Sequence, residues 1–280
     1  MYRIVKKQVL NPTVTLMEVE APAISAKAKA GQFIILRVDS EGERIPLTVA
    51  NTDPARGTIT IIFQIVGATT RLLNTLEAGD SIRDFVGPLG VPTALGGVSS
   101  AAVIGGGVGS AIAYPIAKQL HSNGAHVDSI IGFRSKELVI LKDEFAAVSD
   151  RLVLMTDDGS AGEKGLVTAA LERLITEGAQ YDAVFAIGPL IMMKFVALTT
   201  KKYGIKTVVS MNPIMIDGTG MCGCCRLTVG GVTKFACVDG PDFDGHLVDF
   251  DEAIARSSAY RPFEERAREK GCRLLKKEVE

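Results

Sequence analysis

A glycine-rich turn, Val103-Ile104-Gly105-Gly106-Gly107-Val108-Gly109-Ser110-Ala111, joins a predicted strand to a predicted helix. Glycines in such a turn let the backbone approach a pyrophosphate closely, and the N-terminus of the following helix favours negative charge. The spacing departs from the G-x-G-x-x-G pattern, because Ser110 or Ile112 stands where the third glycine would be. A plain strand–helix turn is the alternative interpretation, but the surrounding strands and helices favour a dinucleotide site.

The segments that follow this turn alternate between strand and helix patterns. Predicted strands cover residues 100–105, 126–132, 151–156, 182–187 and 205–210, and predicted helices cover 109–121, 136–147, 165–176 and 190–202. Such alternation is typical of a doubly wound parallel sheet. We therefore predict a Rossmann-like α/β domain that binds NAD(P) over residues 98–210.

Short β-patterned segments precede this domain. They are rich in Val, Ile, Thr and Phe, and they cover residues 2–9, 13–20, 32–38, 45–50, 57–66 and 80–86. Turn signals separate them, and one short helix is predicted near residues 70–76. Six strands at this spacing predict a small antiparallel β-barrel over residues 1–97.

The composition limits the kinds of partner that this chain can have. It has 280 residues, of which 47% are hydrophobic and 22% charged, with a net charge of −1. This balance favours well-formed cores and gives no electrostatic case for nucleic acid. The most apolar stretch, Ala101–Ala117, is interrupted by glycines and Pro115, and the N-terminus lacks the apolar core of a signal peptide. We therefore predict no membrane span and a cytoplasmic location.

Four of the five cysteines lie between residues 222 and 237, which favours metal binding over disulfides in a chain without a secretion signal. Cys222 and Cys225 form a C-x2-C step, and Cys237 supplies a more distant thiolate. Plant-type [2Fe–2S] sites use C-x4-C-x2-C followed by a distant cysteine. Asp217 stands where the first of those cysteines would be, so the predicted iron ligands are Asp217, Cys222, Cys225 and Cys237, in a loop region over residues 211–250.

Two alternatives to this ligand set stay open. Cys224 could replace Asp217 as the fourth ligand, although the adjacent side chains of Cys224 and Cys225 diverge in an extended loop. A structural zinc site is the second alternative, but zinc sites typically pair two C-x2-C steps and the second step is missing. With zinc, the chain would be a nucleotide-binding regulatory module without turnover.

Weaker motifs lie around the predicted cofactor sites. Arg134 and Lys136 end the second α/β strand, where they could meet a 2′-phosphate or be ordinary surface charges, so the choice between NAD and NADP stays open. In the barrel, Arg44 could pair with a phosphate, Thr48 could reach a flavin edge, and the helix that begins after Gly67 offers N–H groups to a pyrophosphate. Each motif alone is equally compatible with a surface charge, a strand edge or a helix cap.

The order of these motifs resembles that of the ferredoxin–NADP reductase superfamily: R-x-P-x-T, G-x-x-T, G-P-x-G, G-G-G-x-G and G-P-x-x-M. The cysteine loop narrows the resemblance to the group containing dihydroorotate dehydrogenase electron-transfer subunits. Within that group, Ser210–Gly223 is similar to the small subunits of electron-bifurcating NADH-dependent reduced ferredoxin:NADP oxidoreductases, in which one aspartate and three cysteines are a known ligand pattern.

The resemblance implies a complete set of cofactors and partners. FAD would lie in the barrel, NAD(H) in the second domain and a [2Fe–2S] cluster in the cysteine loop. The partner would be a larger glutamate-synthase-like flavoprotein subunit with [4Fe–4S] clusters, and the complex would link NADH, NADPH and ferredoxin by electron bifurcation. The residues implied at FAD are Arg44, Pro46, Leu47, Thr48, Gly67 and Thr70, and those implied at the nicotinamide nucleotide are Gly107, Val108, Gly109, Arg134, Gly188 and Pro189.

The main alternative is the electron-transfer subunit of an NAD-dependent dihydroorotate dehydrogenase, whose partner oxidises dihydroorotate. The last segment, residues 251–280, is predicted to be a helical tail that either docks on a partner subunit or is solvated. Cys272 in this tail is interpreted as an ordinary free thiol.

Overall fold

The computed structural model describes residues 1–259 and Phe263. The first part of the chain forms strands whose buried residues alternate, as in Ile59, Ile61 and Phe63, because successive side chains of a strand point to opposite faces. The elements of this part are β1 (Tyr2–Asn11), β2 (Val14–Glu20), α1 (Pro22–Ser25), β3 (Phe33–Arg37), β4 (Ile45–Asp53), β5 (Thr58–Gln64), α2 (Ala68–Thr75), β6 (Ser81–Ile82) and β7 (Asp84–Leu89).

These seven strands form one antiparallel sheet in the order β6-β1-β2-β5-β4-β3-β7. The two end strands, β6 and β7, are joined by Arg83 alone, so the sheet curls until its edges nearly meet. The result is the predicted antiparallel barrel, with a core of apolar side chains that includes Met17, Ile34 and Phe85.

The second part of the chain alternates strands with helices. Its elements are β8 (Ser100–Gly106), α3 (Gly109–Ser122), β9 (His126–Phe133), a 3-10 turn (Lys136–Leu138), α4 (Lys142–Ala146), β10 (Arg151–Thr156), β11 (Glu163–Lys164), α5 (Val167–Thr176), β12 (Ala183–Ile187), α6 (Leu190–Lys202) and β13 (Thr207–Ser210). The remaining elements are β14 (Arg226–Val229), β15 (Val232–Phe235), β16 (Asp242–Asp244) and α7 (Phe250–Ser258).

The second sheet has the order β11-β10-β9-β8-β12-β13-β16. All neighbouring strands are parallel except β16, which pairs with β13 in the antiparallel direction. Neighbouring residues of β8 enter different cores, Val103 on one face and Ile104 on the other, so apolar layers cover both faces of this sheet. The predicted doubly wound α/β architecture is thus confirmed, with an added antiparallel edge.

Two local features differ from the predicted pattern. The predicted helix over 136–147 is interrupted at Leu141, whose φ of 55° lies in the left-handed region and separates the 3-10 turn from α4. The region after β13 contains a β14–β15 hairpin, which turns at Gly230 and Gly231. Their φ values of 57° and 77° suit a two-residue hairpin turn.

Helix α7 accounts for Phe250–Ser258, whereas the rest of the predicted tail, with Cys272, lies outside the described residues. Across the part of the chain that the structure describes, no helix is both long enough and apolar enough to cross a membrane.

Asp242 of β16 is a buried carboxylate between the barrel and the second sheet. Its Oδ2 accepts a hydrogen bond from the Thr93 hydroxyl at 2.5 Å, and its Oδ1 is buried without a partner among the described residues. Burial raises the pKa of the Asp242 carboxyl, and the hydrogen bond from Thr93 opposes this shift only in part. Folding therefore shifts Asp242 toward its protonated form.

This shift predicts a pH-dependent stability. Because the pKa of Asp242 is higher in the folded state, its protonation stabilises the fold at pH values below the unfolded-state pKa of about 3.9. This stabilisation is lost as the pH rises through the folded-state pKa. We expect Asp242→Asn to increase the free energy of unfolding at neutral pH relative to wild type. The difference should grow by up to about 1.4 kcal/mol for each pH unit between the unfolded-state and the folded-state pKa of Asp242. Urea denaturation between pH 4 and pH 8 measures this, with Asp244→Asn on the exposed part of the same strand as control. Parallel pH profiles for wild type and Asp242→Asn would contradict the prediction.

Candidate functional site

The glycine-rich turn lies where the strand order of the second sheet reverses. Strand β9 lies on one side of β8 and β12 on the other, so their following segments leave in opposite directions and open a crevice at the carboxyl ends. A Cβ atom on Gly109 would lie 2.5 Å from the Ile187 carbonyl oxygen and 2.7 Å from Gly188 Cα. Only glycine allows this approach of two backbone segments, so the turn after β8 and the turn after β12 form one joint surface.

Other predicted nucleotide residues belong to the same surface. Gly107 has a φ of 57°, and its N–H donates to the Gly132 carbonyl at 2.8 Å. Val108 immediately precedes α3, and Pro189 immediately precedes α6, so both stand at helix N-termini at the carboxyl edge of the sheet. Two helix N-termini beside a glycine turn fit the pyrophosphate of a dinucleotide.

Arg134 follows β9 at this edge and is exposed. Its carbonyl accepts the N–H of Asp158 from the segment after β10 at 3.3 Å, which brings an acidic residue beside it. The Ser160 N–H and hydroxyl hold the pKa of the Asp158 carboxyl below its usual range. The rim thus combines basic Arg134 and Lys136 with acidic Asp158, and the predicted ambiguity between NAD and NADP persists in the structure.

The predicted flavin residues of β4 lie on the barrel. Pro46, Leu47 and Thr48 pair with β3 and are only partly buried, although β4 is an interior strand of the sheet. The turn before α2 forms one end of the surface that carries Pro46, Leu47 and Thr48. In this turn, the Thr70 hydroxyl accepts the N–H groups of Val66 and Gly67 at 3.0 Å each. No heavy atom of the described residues lies within 4 Å of a Cβ built on Gly67, so the turn leaves space for a ligand.

Arg44 makes a contact that connects the barrel to the cysteine loop. Its Nε donates to the Ile216 carbonyl at 2.8 Å, across a sequence separation of 172 residues. Ile216 immediately precedes Asp217. The structure therefore joins one of the predicted flavin residues to the backbone beside a predicted iron ligand.

The four predicted iron ligands occur as two pairs. Asp217 Oδ2 accepts the Cys222 N–H at 2.6 Å, and Asp217 Oδ1 accepts the Thr219 N–H at 2.9 Å. The Sγ atoms of Cys225 and Cys237 are 3.3 Å apart and both residues are buried. Two pairs match a [2Fe–2S] cluster in donor type and number, because each of its irons takes two protein ligands.

The electrostatic environments of the ligands differ. Hydrogen bonds from the Thr219 N–H and the Cys222 N–H hold the pKa of the half-buried Asp217 carboxyl below its usual range. Burial and the Cys225 thiol raise the pKa of Cys237 to about 12, against the opposing effect of the Gly220 N–H. N–H groups that face thiolate sulfur are characteristic of iron–sulfur sites, and glycines at positive φ such as Gly220 and Gly223 present them without steric cost.

The four side chains do not converge on one point. Among residues 1–259 and Phe263, no three His, Cys, Asp or Glu side chains are arranged to enclose a single metal ion. Cys224 is partly exposed and lies beside Cys222, whose proximity raises the pKa of the Cys224 thiol. The geometry thus separates the buried pair, Cys225 and Cys237, from the surface residues Asp217, Cys222 and Cys224.

Sequence reasoning missed three features that position the site. These are the Arg44–Ile216 hydrogen bond, a hydrogen bond from the Thr69 hydroxyl to Glu43, and the buried Asp242. All three join segments that are distant in sequence, so no local pattern could have revealed them. The β14–β15 hairpin was also missed, although the Gly230-Gly231 pair between apolar residues is a recognisable turn signal.

Comparison with known proteins adds independent findings. The family model for the iron–sulfur cluster binding domain of dihydroorotate dehydrogenase B matches residues 212–249. A Thermotoga maritima homolog of the dihydroorotate dehydrogenase B (NAD(+)) electron transfer subunit is 47% identical over 258 residues, or 92% of this chain and 91% of the relative. The electron transfer subunit of Streptococcus pneumoniae strain R6 is 32% identical over 249 residues, or 86% of this chain and 94% of the relative.

A solved structure of the NADH-dependent reduced ferredoxin-NADP oxidoreductase, described for flavin-based electron bifurcation, has the same overall arrangement. It matches with a TM-score of 0.91 and 45% identity, over 96% of this chain and 97% of that chain. The similarity therefore extends through the barrel, the parallel sheet and the cysteine loop.

Proposed function

Because this chain belongs to the family of dihydroorotate dehydrogenase B electron transfer subunits, we propose that it is an oxidoreductase subunit carrying FAD and a [2Fe–2S] cluster. It exchanges hydride with NAD(H) and passes single electrons to a larger partner subunit. The similarity to the ferredoxin-NADP oxidoreductase structure favours an electron-bifurcating complex with a glutamate-synthase-like partner, linked to ferredoxin. Residues 1–97 bind FAD, 98–210 bind NAD(H), and 211–250 bind the cluster.

One observation carries this proposal: the loop with the iron ligands packs directly on the barrel. Gly218 lies against Leu89 of β7 and Ile35 of β3, since a Cβ atom on Gly218 would be 2.7 Å and 2.9 Å from their side chains. Ile35 pairs with Pro46, one of the predicted flavin residues. The loop and the proposed flavin site are therefore neighbours, which short-range electron transfer requires.

When bound, FAD and the cluster supply the chemistry, because a flavin connects two-electron hydride transfer to one-electron transfer. The residues of this chain bind and orient these groups. The glycine cradle around Gly109 and Gly188 holds the pyrophosphate of NAD(H). Asp217, Cys222, Cys225 and Cys237 ligate iron, and the buried position of the last two excludes water from their side of the cluster.

The proposal is tested by the anaerobic visible spectrum of the purified protein, with flavin, iron and sulfide quantified before and after NADH addition. We expect about two irons and one FAD per chain, with absorbance bleached by NADH. A colourless protein that contains zinc and no flavin would contradict the proposal and leave a nucleotide-binding module.

A second function, electron transfer to a dihydroorotate-oxidising partner, is favoured by the names of the curated relatives. The two functions share the same cofactors and differ in the partner. Isolation of the native complex followed by mass spectrometry distinguishes them. A glutamate-synthase-like subunit supports bifurcation, whereas a dihydroorotate dehydrogenase subunit supports the alternative.

A further inference from the structure

The backbone around Asp217 is held on the barrel from both sides. On the N-terminal side, the Ile216 carbonyl accepts the hydrogen bond from Arg44 Nε at 2.8 Å. On the C-terminal side, Gly218 has a φ of 77° and lies against Ile35 and Leu89 with no room for a Cβ atom. Asp217 is therefore positioned by the barrel.

The three predicted cysteine ligands are positioned by different elements. Cys225 precedes β14 and Cys237 follows β15, so the hairpin determines the positions of both. The Cys224 carbonyl, between Cys222 and Cys225, is 3.4 Å from Arg256 Nη2 of α7. A cluster bound at this site would consequently connect the barrel, through Asp217, to the hairpin, through the cysteines.

The segment that carries Arg44 is itself tied to the predicted flavin site. Glu43, its neighbour, accepts a hydrogen bond from the hydroxyl of the buried Thr69 at 3.1 Å, near the start of α2. On its other side Arg44 leads directly into β4, which begins at Ile45. Arg44 thus lies between a residue bonded to the start of α2 and the strand that carries Pro46, Leu47 and Thr48.

We propose that Arg44 is a positioning residue for the Asp217 side of the iron–sulfur cluster and couples that ligand to the flavin site of the barrel. The inference rests on the proposed function and goes beyond it, because the sequence motif around Arg44 indicates only a phosphate contact. A guanidinium has five N–H donors, of which the Nε–H is used by Ile216, so one side chain can serve both the loop and a flavin phosphate.

The test compares Arg44→Lys and Arg44→Gln with wild type, using the full-length protein prepared anaerobically. Lysine keeps the positive charge but cannot reproduce the Nε–H geometry of arginine. Arg56→Gln is the matched control, since Arg56 lies on the barrel between β4 and β5 and pairs with Glu18. FAD, iron and sulfide are quantified for each protein, and the electron paramagnetic resonance spectrum of the reduced cluster is recorded.

We expect both Arg44 variants to change the g-values or broaden the signal of the reduced cluster, while Arg56→Gln matches wild type. An unchanged cluster spectrum in both variants overturns the inference, and so does a loss of FAD with the cluster spectrum unchanged.

A second measurement does not depend on cluster loading. The amides of Thr219 and Cys222 donate to the Asp217 carboxylate, so their hydrogen exchange in the metal-free protein reports the position of that side chain. We expect exchange in peptides covering residues 212–223 to be about tenfold faster in Arg44→Gln, because a hydrogen bond from a charged donor is lost. Equal exchange in Arg44→Gln and Arg56→Gln overturns the inference. A wild-type protein without flavin or iron would instead count against the proposed function.

Discussion

Replacing Cys225 with serine is expected to remove the iron–sulfur cluster, so that iron falls from about two atoms per chain to nearly none. Cys225 is fully buried and its Sγ lies 3.3 Å from that of Cys237, and these are the two buried cysteines of the part of the chain that the structure describes. A serine hydroxyl is a harder and weaker ligand for iron than a thiolate. NADH should still reduce the flavin, whereas one-electron transfer through the cluster should be lost.

Cys224→Ser is the matched control, because Cys224 is the adjacent residue, is partly exposed and lies outside the buried pair. We expect it to retain iron and FAD at wild-type levels. A buried serine costs about 1–3 kcal/mol if its hydroxyl lacks a partner, so circular dichroism must show that Cys225→Ser is folded. Iron retained in Cys225→Ser but lost in Cys224→Ser would contradict the assignment and favour Cys224 as a ligand.

Much of the fold is predictable because it is encoded in local patterns. Ile59, Ile61 and Phe63 alternate along β5 and enter the barrel core, and the glycines between Gly105 and Gly109 mark the turn from β8 to α3. These signals depend on neighbouring residues and on a period of two, so they can be read before the chain is folded. The C-x2-C step at Cys222 and Cys225 is local in the same sense.

The contacts that assemble the site are not local. Nothing near Arg44 indicates that its Nε bonds Ile216, because the partner is a backbone carbonyl 172 residues away. Asp242 has the same property, since its carboxylate accepts a hydrogen bond from Thr93, 149 residues earlier. Leu141 shows a third limit: a helical pattern continued through it, yet its left-handed conformation separates the 3-10 turn from α4. Tertiary packing decides such positions.

Replacing Gly109 with alanine is expected to weaken NADH binding by more than tenfold and to lower the free energy of unfolding by about 1–3 kcal/mol. The added Cβ would lie 2.5 Å from the Ile187 carbonyl oxygen and 2.7 Å from Gly188 Cα. Both are backbone atoms, so relief requires α3 to move away from the end of β12. That movement opens the crevice between the two turns and displaces the N–H groups at the start of α3.

The control for this prediction is Gly96→Ala, because a Cβ atom at Gly96 meets no heavy atom of the described residues within 4 Å. We expect this control to stay within about 0.5 kcal/mol of wild type. Isothermal titration of the already reduced protein with NADH, together with urea denaturation, measures the two effects, and FAD and iron contents show whether the barrel and the cysteine loop are intact. Equal NADH affinity in the two variants would contradict the assignment of the crevice. Weaker binding in Gly109→Ala, with FAD and iron retained, would instead show that the close approach of the two turns creates the nucleotide site.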